Sequence, residues 1–475
     1  MTKQSVLFLI LILGLLWPAS SLIKVQAASS GREPDAAPVL SQPPDIDPNP
    51  AALPDQALTA QDDVTTTAGH NLYFPFIANG FCTVPFVYNE VIRYNLNKIN
   101  APEAWLRCVQ GEGVTVAVVD TGIDLDHPDL QANLVSGQSF VTGVSSPDDD
   151  EGHGTHVAGM VAGVGNNGGI IGVAPKAKLM PVKVLNSQGS GSTLAIALGI
   201  EWAADHGARV INLSLGGVND SLTLQSAVDY ALSKGVLLVA AGGNCGDASF
   251  AANGCSFQDQ PVYPAADPDV VAVASTTSLD TQSSFSNEGS YIEVAAPGSS
   301  IFSTYPPGGY ATLSGTSMAS PHVAGLAALI WSQNPDWTNQ DVRTRIRATA
   351  HDLGSSGWDS KFGYGRIDAD AALDTHLTTA IPEFTAAPAV SAAGAAEAPY
   401  VPGEILLKLR PGLTINHVLE PARLAKYKVK VARTIDSLGV IQLSLTAGQE
   451  RALLAELLNA NGVTYAELNY IYTIN

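Results

Sequence analysis

Asp120, His153 and Ser317 stand far apart in the chain, yet their side chains could form one nucleophilic centre. A serine hydroxyl is a weak nucleophile until a base removes its proton. Histidine can do this near neutral pH, and a buried carboxylate fixes the tautomer of the ring and stabilises its cation. Ser317 lies in Gly315-Thr316-Ser317-Met318-Ala319-Ser320-Pro321-His322-Val323-Ala324-Gly325, where a turn of small residues runs into an apolar helical stretch. The first N–H groups of a helix have no internal partner and carry its positive end, so a serine there has an oxyanion site beside it. His153 lies in Gly152-His153-Gly154-Thr155-His156-Val157-Ala158-Gly159, a glycine-flanked histidine opening a helix of small residues. Asp120 ends the apolar run Val116-Ala117-Val118-Val119 and precedes Thr121-Gly122. That pattern reads as a buried strand with a carboxylate at its carboxyl end, where open α/β sheets place their sites. His156 should point into packing. With no third ligand at zinc-site spacing, the two histidines do not read as a metal pair.

In the order Asp, His, Ser, these three motifs resemble the subtilisin-like serine proteases, or subtilases, and most closely their thermitase-like branch. The resemblance runs from about Val91 to Ala372. It implies a secreted endopeptidase in which Asp120 orients, His153 is general base and acid, and Ser317 attacks. It also implies that Asn244, after Gly242-Gly243, donates its amide N–H to the oxyanion; the family has one glycine there, so Gly243 is a departure. Asn212-Leu213-Ser214-Leu215-Gly216-Gly217 resembles the edge strand that pairs with extended substrate, and Gly189-Ser190-Gly191 the opposite rim. The walls of the primary specificity pocket are expected near Ala241 to Gly243 and at Tyr263-Pro264-Ala265, with no charge at the base and hence an apolar or broad preference. The stretch Val164-Gly165-Asn166-Asn167-Gly168-Gly169-Ile170 resembles the family's calcium loop. By that likeness the ligands are Asp129, the Asn166 side chain and the carbonyls of Val164, Gly168 and Ile170, an oxygen-only set that suits a structural calcium ion. Asp148-Asp149-Asp150-Glu151 reads as a solvated acidic loop. An esterase would require a Gly-x-Ser-x-Gly turn and the order Ser, Asp, His, which are absent. A catalytically silent binding protein of this fold would not need every one of these positions filled.

The elements that must position these groups alternate along the chain. Strands are predicted over 114–119, 179–185, 210–214, 236–240, 270–274 and 292–295, and helices over 153–164, 193–206, 222–234, 317–333 and 339–350. Such alternation implies an α/β fold, a parallel sheet with helices on both faces. The chain has 475 residues, too many for one compact core. Its net charge of −20 argues against nucleic acid as a partner, since phosphate would be repelled. Lys3 followed by an apolar run over 6–17, too short to span a bilayer, reads as a signal peptide ending near Ala27. No membrane association is therefore expected after cleavage. Residues 28–90 begin as a Pro/Ala-rich segment, with seven prolines between Arg32 and Asp55, that cannot bury a core. The peptidase domain is expected over 91–376. Four cysteines in an exported chain should form disulfides. Of the three pairings open to Cys82, Cys108, Cys245 and Cys255, the preferred one joins Cys245 to Cys255 and Cys82 to Cys108.

A second Ala/Pro-rich linker over 377–398 precedes a separate unit over 399–475. Strands over 404–410, 428–434, 440–445 and 463–472, with helices over 415–425 and 449–460, give the β-α-β-β-α-β order of a split βαβ domain. In Val401-Pro402-Gly403-Glu404-Ile405-Leu406-Leu407-Lys408-Leu409 and Thr464-Tyr465-Ala466-Glu467-Leu468-Asn469-Tyr470 this small α+β unit resembles the inhibitor-type prodomain of subtilases, which normally precedes the protease. It carries eight Lys or Arg against six Asp or Glu, a net of +2, against −22 for the remainder. Charge should draw it to the acidic body. Its sheet is expected on the surface helices, with the tail Tyr470-Ile471-Tyr472-Thr473-Ile474-Asn475 in the cleft like a product and Asn475 near Ser317. The partners implied are peptide substrates and this module as an intramolecular inhibitor.

Overall fold

The computed structural model describes residues 92–166, 169–247, 251, 254–376 and 398–474. The expected signal peptide, the segment 28–90, Cys82, Gly168, the linker 377–397 and Asn475 lie outside the described residues. In chain order the body runs through α1 (Tyr94–Lys98), α2 (Ala101–Trp105), β1 (Thr115–Asp120), β2 (Gln138–Ser139), α3 (His153–Ala162), β3 (Lys178–Lys183), β4 (Ser190–Ser192) and α4 (Thr193–Asp205). It continues through β5 (Val210–Leu213), β6 (Leu215–Gly216), α5 (Leu222–Ser233), β7 (Leu237–Ala241), β8 (Val271–Thr276), β9 (Ile292–Pro297), the hairpin β10 (Ile301–Tyr305) and β11 (Gly309–Leu313), α6 (Thr316–Gln333), α7 (Asn339–Ala348) and α8 (Ala369–Leu373).

Seven strands form one parallel sheet in the order β2-β3-β1-β5-β7-β8-β9. The sheet is buried on both faces, and β1 shows how. Val116 and Val118 enter a core shared with α3 and α6, while Ala117 and Val119 enter a second core with α4 and α5. A strand that feeds two cores must be apolar throughout, which is why these strands read as continuous apolar runs. The central helix α6 is buried along Thr316–Trp331, so it carries no polar face. Among the described residues no helix is long and apolar enough to cross a membrane.

The predicted helices and strands are present with ends shifted by one or two residues. The hairpin β10–β11, the short strand β2 and the short helices α1, α2 and α8 were not anticipated.

The C-terminal module contains β12 (Tyr400–Leu409), α9 (Ile415–Val418), α10 (Pro421–Tyr427), β13 (Lys430–Ile435), β14 (Val440–Ser444), α11 (Glu450–Leu458) and β15 (Val463–Ile474). The single helix expected over 415–425 is broken in two, because Pro421 cannot continue a helix and instead opens α10 at its first turn. The antiparallel order is β13-β14-β12-β15, and the ladder then passes into the body through β4. Side chains of β12 alternate. Ile405 and Leu407 join the module's own core with Leu443, Leu453 and Leu457, whereas Leu406 joins Tyr465 and Tyr472 in the core beneath α4 and α5. The module thus packs its sheet on two helices of the body, as the sequence leads one to expect. Among the described residues, however, no ion pair joins module and body. Helix ends make the polar contacts in their place. Glu467 accepts from Leu222 N at 3.0 Å, Thr223 N at 2.9 Å and Ser221 Oγ at 2.8 Å, all at the start of α5. Asn469 Oδ1 accepts from Leu194 N at 3.0 Å, at the start of α4. An anion beside unpaired helix N–H groups is favourable whatever the net charges of the two parts.

Candidate active site

Asp120 is the last residue of β1, Ser214 follows β5, and Asn244 follows β7. These three strands are adjacent, so their carboxyl ends bring the three residues to one edge of the sheet. His153 is the first residue of α3. Its Nδ1 stands 2.9 Å from Asp120 Oδ1 and 3.1 Å from Oδ2. Gly154 permits this approach: a Cβ there would lie 2.1 Å from the Gly122 carbonyl oxygen and 3.1 Å from Asp120 Cβ. Asp120 is fully buried and also accepts from Thr121 N at 2.7 Å. Burial pushes the His153 imidazole down, but the Asp120 carboxylate outweighs it, helped by Glu151 and Asp149, and holds the ring above the usual histidine range. His153 Nε2 is buried without a hydrogen-bond partner among the described residues. His156 faces the other way, with Nε2 3.1 Å from the Ile301 carbonyl, and burial pushes it down to about 3.

Ser317 is the second residue of α6. Its Oγ donates to the Ser214 carbonyl at 3.1 Å. Pro321, four residues on, has no N–H, so the Ser317 carbonyl loses its helical donor. Ser214 Oγ supplies that bond at 2.9 Å and also lies 2.9 Å from Ser320 Oγ. Asn212 Nδ2 in turn donates to Ser214 Oγ at 2.9 Å. The residue expected at the substrate edge is therefore also the brace under the serine turn.

Asn244 and Ser317 are brought together through Thr316. Asn244 Oδ1 accepts from Thr316 N at 2.9 Å and Thr316 Oγ1 at 3.0 Å, which fixes the amide with its nitrogen end turned away from Thr316. Gly243 has φ +108, and a Cβ there would lie 2.6 Å from Asn287 Nδ2, so the additional glycine is required by the turn. Cys245 is bonded to Cys255, closing the loop after Asn244. Cys108 is disulfide-bonded as well, and Cys82, expected as its partner, lies outside the described residues.

The two rims predicted to hold extended substrate hold the molecule's own tail. On β4, Ser192, Gly191 and Ser190 face Ile471, Tyr472 and Thr473. On β6, Gly216 and Leu215 face Thr473 and Ile474. Ile474 N donates to the Gly189 carbonyl at 3.0 Å. Tyr472 is 1% exposed, lies against Gly217 and donates from its hydroxyl to the Asn219 carbonyl at 2.8 Å.

At the far end of α3, Asp129 is buried beside the loop expected to bind calcium. Its carbonyl accepts from Val164 N at 2.9 Å, and its Oδ2 accepts from Ile170 N at 3.0 Å and from the Tyr310 hydroxyl at 2.9 Å. Asn166 Nδ2 donates to the Pro128 carbonyl at 2.9 Å. A Cβ on Gly169 would fall 1.8 Å from Asp129 Oδ2, so the loop closes directly on that carboxylate. The described members of the expected ligand set offer oxygen donors only, the kind a hard cation takes.

The acidic run 148–151 is solvent-exposed at Asp148 and Asp150, as a solvated loop would be, yet its carboxylates are all engaged. Asp148 accepts from Leu125 N, Asp150 from the buried Lys183 Nζ, and Glu151 from His153 N. Asp149 accepts four bonds. Composition alone could not show this, because the partners are backbone N–H groups and a lysine that is remote in sequence.

The profile of the Subtilase family matches residues 111–365, and that of the Fervidolysin N-terminal prodomain matches residues 386–469. The chain is 46% identical to Subtilisin Savinase of Lederbergia lenta over 283 residues, 60% of this chain and 99% of that protein. It is 47% identical to Thermitase of Thermoactinomyces vulgaris over 282 residues, 59% of this chain and 95% of that protein. With Subtilisin E of Bacillus subtilis (strain 168) it shares 46% identity over 287 residues, 60% of this chain and 72% of that protein. The parallel sheet, the residues gathered at its carboxyl edge and these similarities lead to one conclusion: the chain belongs to the subtilase family and is a serine endopeptidase.

Proposed function

We propose that the chain is a secreted endopeptidase whose acyl-enzyme forms on Ser317, with His153 as base and acid and Asp120 as its orienting carboxylate. The observation that carries this reading is the His153 Nδ1–Asp120 pair at 2.9 Å at the strand edge where the α6 turn presents Ser317. His153 takes the Ser317 proton as Oγ attacks the scissile carbonyl, and returns it to the leaving amine. Asn244 Nδ2 and the N–H groups at the start of α6 receive the oxyanion. Extended substrate pairs with 189–191 on one side and 214–216 on the other, so recognition rests on main-chain bonds and admits many sequences. Uncharged walls at the primary pocket favour an apolar or broad preference. Ser317→Ala should abolish casein hydrolysis and fluorophosphonate labelling, with a loss of ~10⁴-fold or more. Activity surviving in that variant would falsify the assignment.

The domain division proposed is a signal peptide over 1–27, a Pro/Ala-rich segment over 28–90, the peptidase over 91–376, a linker over 377–398 and an inhibitory module over 399–475. The seating of 471–474 between β4 and β6 supports inhibition, because a strand held there occupies the place of substrate. The purified 399–475 fragment should inhibit a 91–376 enzyme, and removing its last six residues should weaken that inhibition. Calcium is proposed as a structural cofactor held by Asp129, Asn166 and the carbonyls of Val164, Gly168 and Ile170. When bound, the ion would tie the end of α3 to the β1–α3 connection by neutralising buried oxygen donors.

A further inference from the structure

Helix α3 begins with a glycine cap. Gly152 has φ +118, and a Cβ there would strike the Tyr305 ring at 2.4 Å, so no side chain at that position can satisfy the first N–H groups. Those donors still require partners, because the turn is buried. The preceding acids provide them. Asp149 Oδ1 accepts from Glu151 N at 3.0 Å and Gly152 N at 2.9 Å, and its Oδ2 from Thr155 N at 2.9 Å and Thr155 Oγ1 at 2.6 Å. Glu151 Oε2 accepts from His153 N at 2.8 Å, while its carbonyl accepts from the Tyr305 hydroxyl at 3.1 Å. Asp150 anchors the same loop to the sheet through Lys183, whose Nζ also donates to the Thr121 and Leu185 carbonyls. His153 is thus gripped at two points, its ring by Asp120 and its backbone by Glu151.

We propose that Asp149 and Glu151 are positioning residues for the general base: two carboxylates that lock the His153 turn and present negative charge to its imidazolium. This rests on the reading of His153 as the base. The groups facing the ring are few. Charge reaches it from Asp120 on β1 and from Asp149 and Glu151 in the loop, and His156 follows one turn on along α3. His156 is neutral near pH 7, since burial pushes it down to about 3. Tyr305 from β10 meets Glu151 through its backbone, and Lys183 from β3 is engaged by Asp150. Both proposed residues therefore act on the cation in the same direction as Asp120, and neither is opposed by a nearby unengaged cation among the described residues.

A neutral isostere separates charge from shape. Glu151→Gln keeps a carbonyl acceptor for His153 N, and Asp149→Asn keeps one for the loop. The ring titration of His153 can be followed by ¹H–¹⁵N NMR in the full chain carrying Ser317→Ala, assigned as the signal lost in His153→Gln. Each isostere should lower the midpoint by about half a pH unit, the size expected of one partly screened charge, and the pair by about one. Midpoints that match the parent would overturn the proposal. If Asp149→Asn does not fold, Glu151→Gln decides alone. The catalytic reading is judged separately, by hydrolysis in the Ser317→Ala chain. A titration that responds in a protein whose activity does not depend on Ser317 would fail that reading and leave only the effect of the two carboxylates on the ring.

Discussion

The body and the C-terminal module are both built around sheets, but they bury them differently. The body's parallel sheet is covered on both faces by its own helices, and its working groups sit where strands end. The module's antiparallel sheet covers one face with α9, α10 and α11 and leaves the other to be covered by α4 and α5 of the body. Chemistry in this molecule is placed on the part that completes its own core. The strand that fills the cleft belongs to the part that does not. A group held by a self-sufficient scaffold keeps its geometry when the partner leaves, whereas a docked sheet is held only while docked.

Four measurements would break or sharpen that contrast. In the body, Asn244→Ala should lower kcat by roughly 10²- to 10³-fold, a size measured at the corresponding donor of a subtilisin and carried over by similarity. It should leave docking of the tail unchanged, as read by protection of the module from an added protease. In the module, Tyr472→Ala removes a side chain that is 1% exposed and a hydroxyl bond to Asn219. The cost should be about 3 kcal/mol, which is ~100-fold weaker self-inhibition. Peptide hydrolysis by the full chain would rise, with kcat of the freed enzyme unaltered; a fall in kcat would show that the two regions are not separable. Glu467→Ala leaves the α5 N–H groups without their anion and should cost about 2 kcal/mol of docking, or ~30-fold, by the same assay. Chelation acts on the stability of the body and leaves docking aside. An ion present at ~100 times its dissociation constant adds about 2.7 kcal/mol, so excess EDTA should lower the melting temperature of the body by roughly 5 °C or more. An unchanged melting curve, with no ion found by elemental analysis, would remove calcium from the reading.

The pH dependence follows from His153. Asp120, Asp149 and Glu151 hold its ring above the usual histidine range, and in the proposed role of base it works only when neutral. kcat/KM should therefore fall as pH drops through a midpoint higher than an ordinary histidine's, and the Glu151→Gln chain, once freed of its module, should keep activity to lower pH.

Much was legible from residue order because the informative features are local. An apolar run ending in Asp120, a glycine-flanked His153 and a small-residue turn at Ser317 each describe a strand end or a helix start over a few positions. The rims at 189–191 and 214–216 came from the family resemblance, since locally they read only as Gly-rich segments. The broken helix at Pro421 could also have been read locally, from the residue that starts α10. Other features had no local signal. Ser214 braces the carbonyl that Pro321 leaves unpaired, a bond between residues 103 positions apart from Ser214 to Ser317. The run Asp148-Asp149-Asp150-Glu151 looks solvated by composition, yet its carboxylates are taken up by Leu125, Thr155, Lys183 and His153.

What the sequence determined by itself is the kind of each element and the chemistry each end could carry, because periodicity, caps and turn residues act within a few positions. Only the tertiary structure decided which ends meet. Asp120 reaches His153 because Gly154 admits the α3 turn to within contact of β1. Glu467 settles on α5 rather than pairing with a base, since the helix start offers aligned N–H donors to a carboxylate that packing has taken out of solvent. Such meetings depend on how cores fill and on which donors are left without partners, and both are properties of the packed chain rather than of any segment.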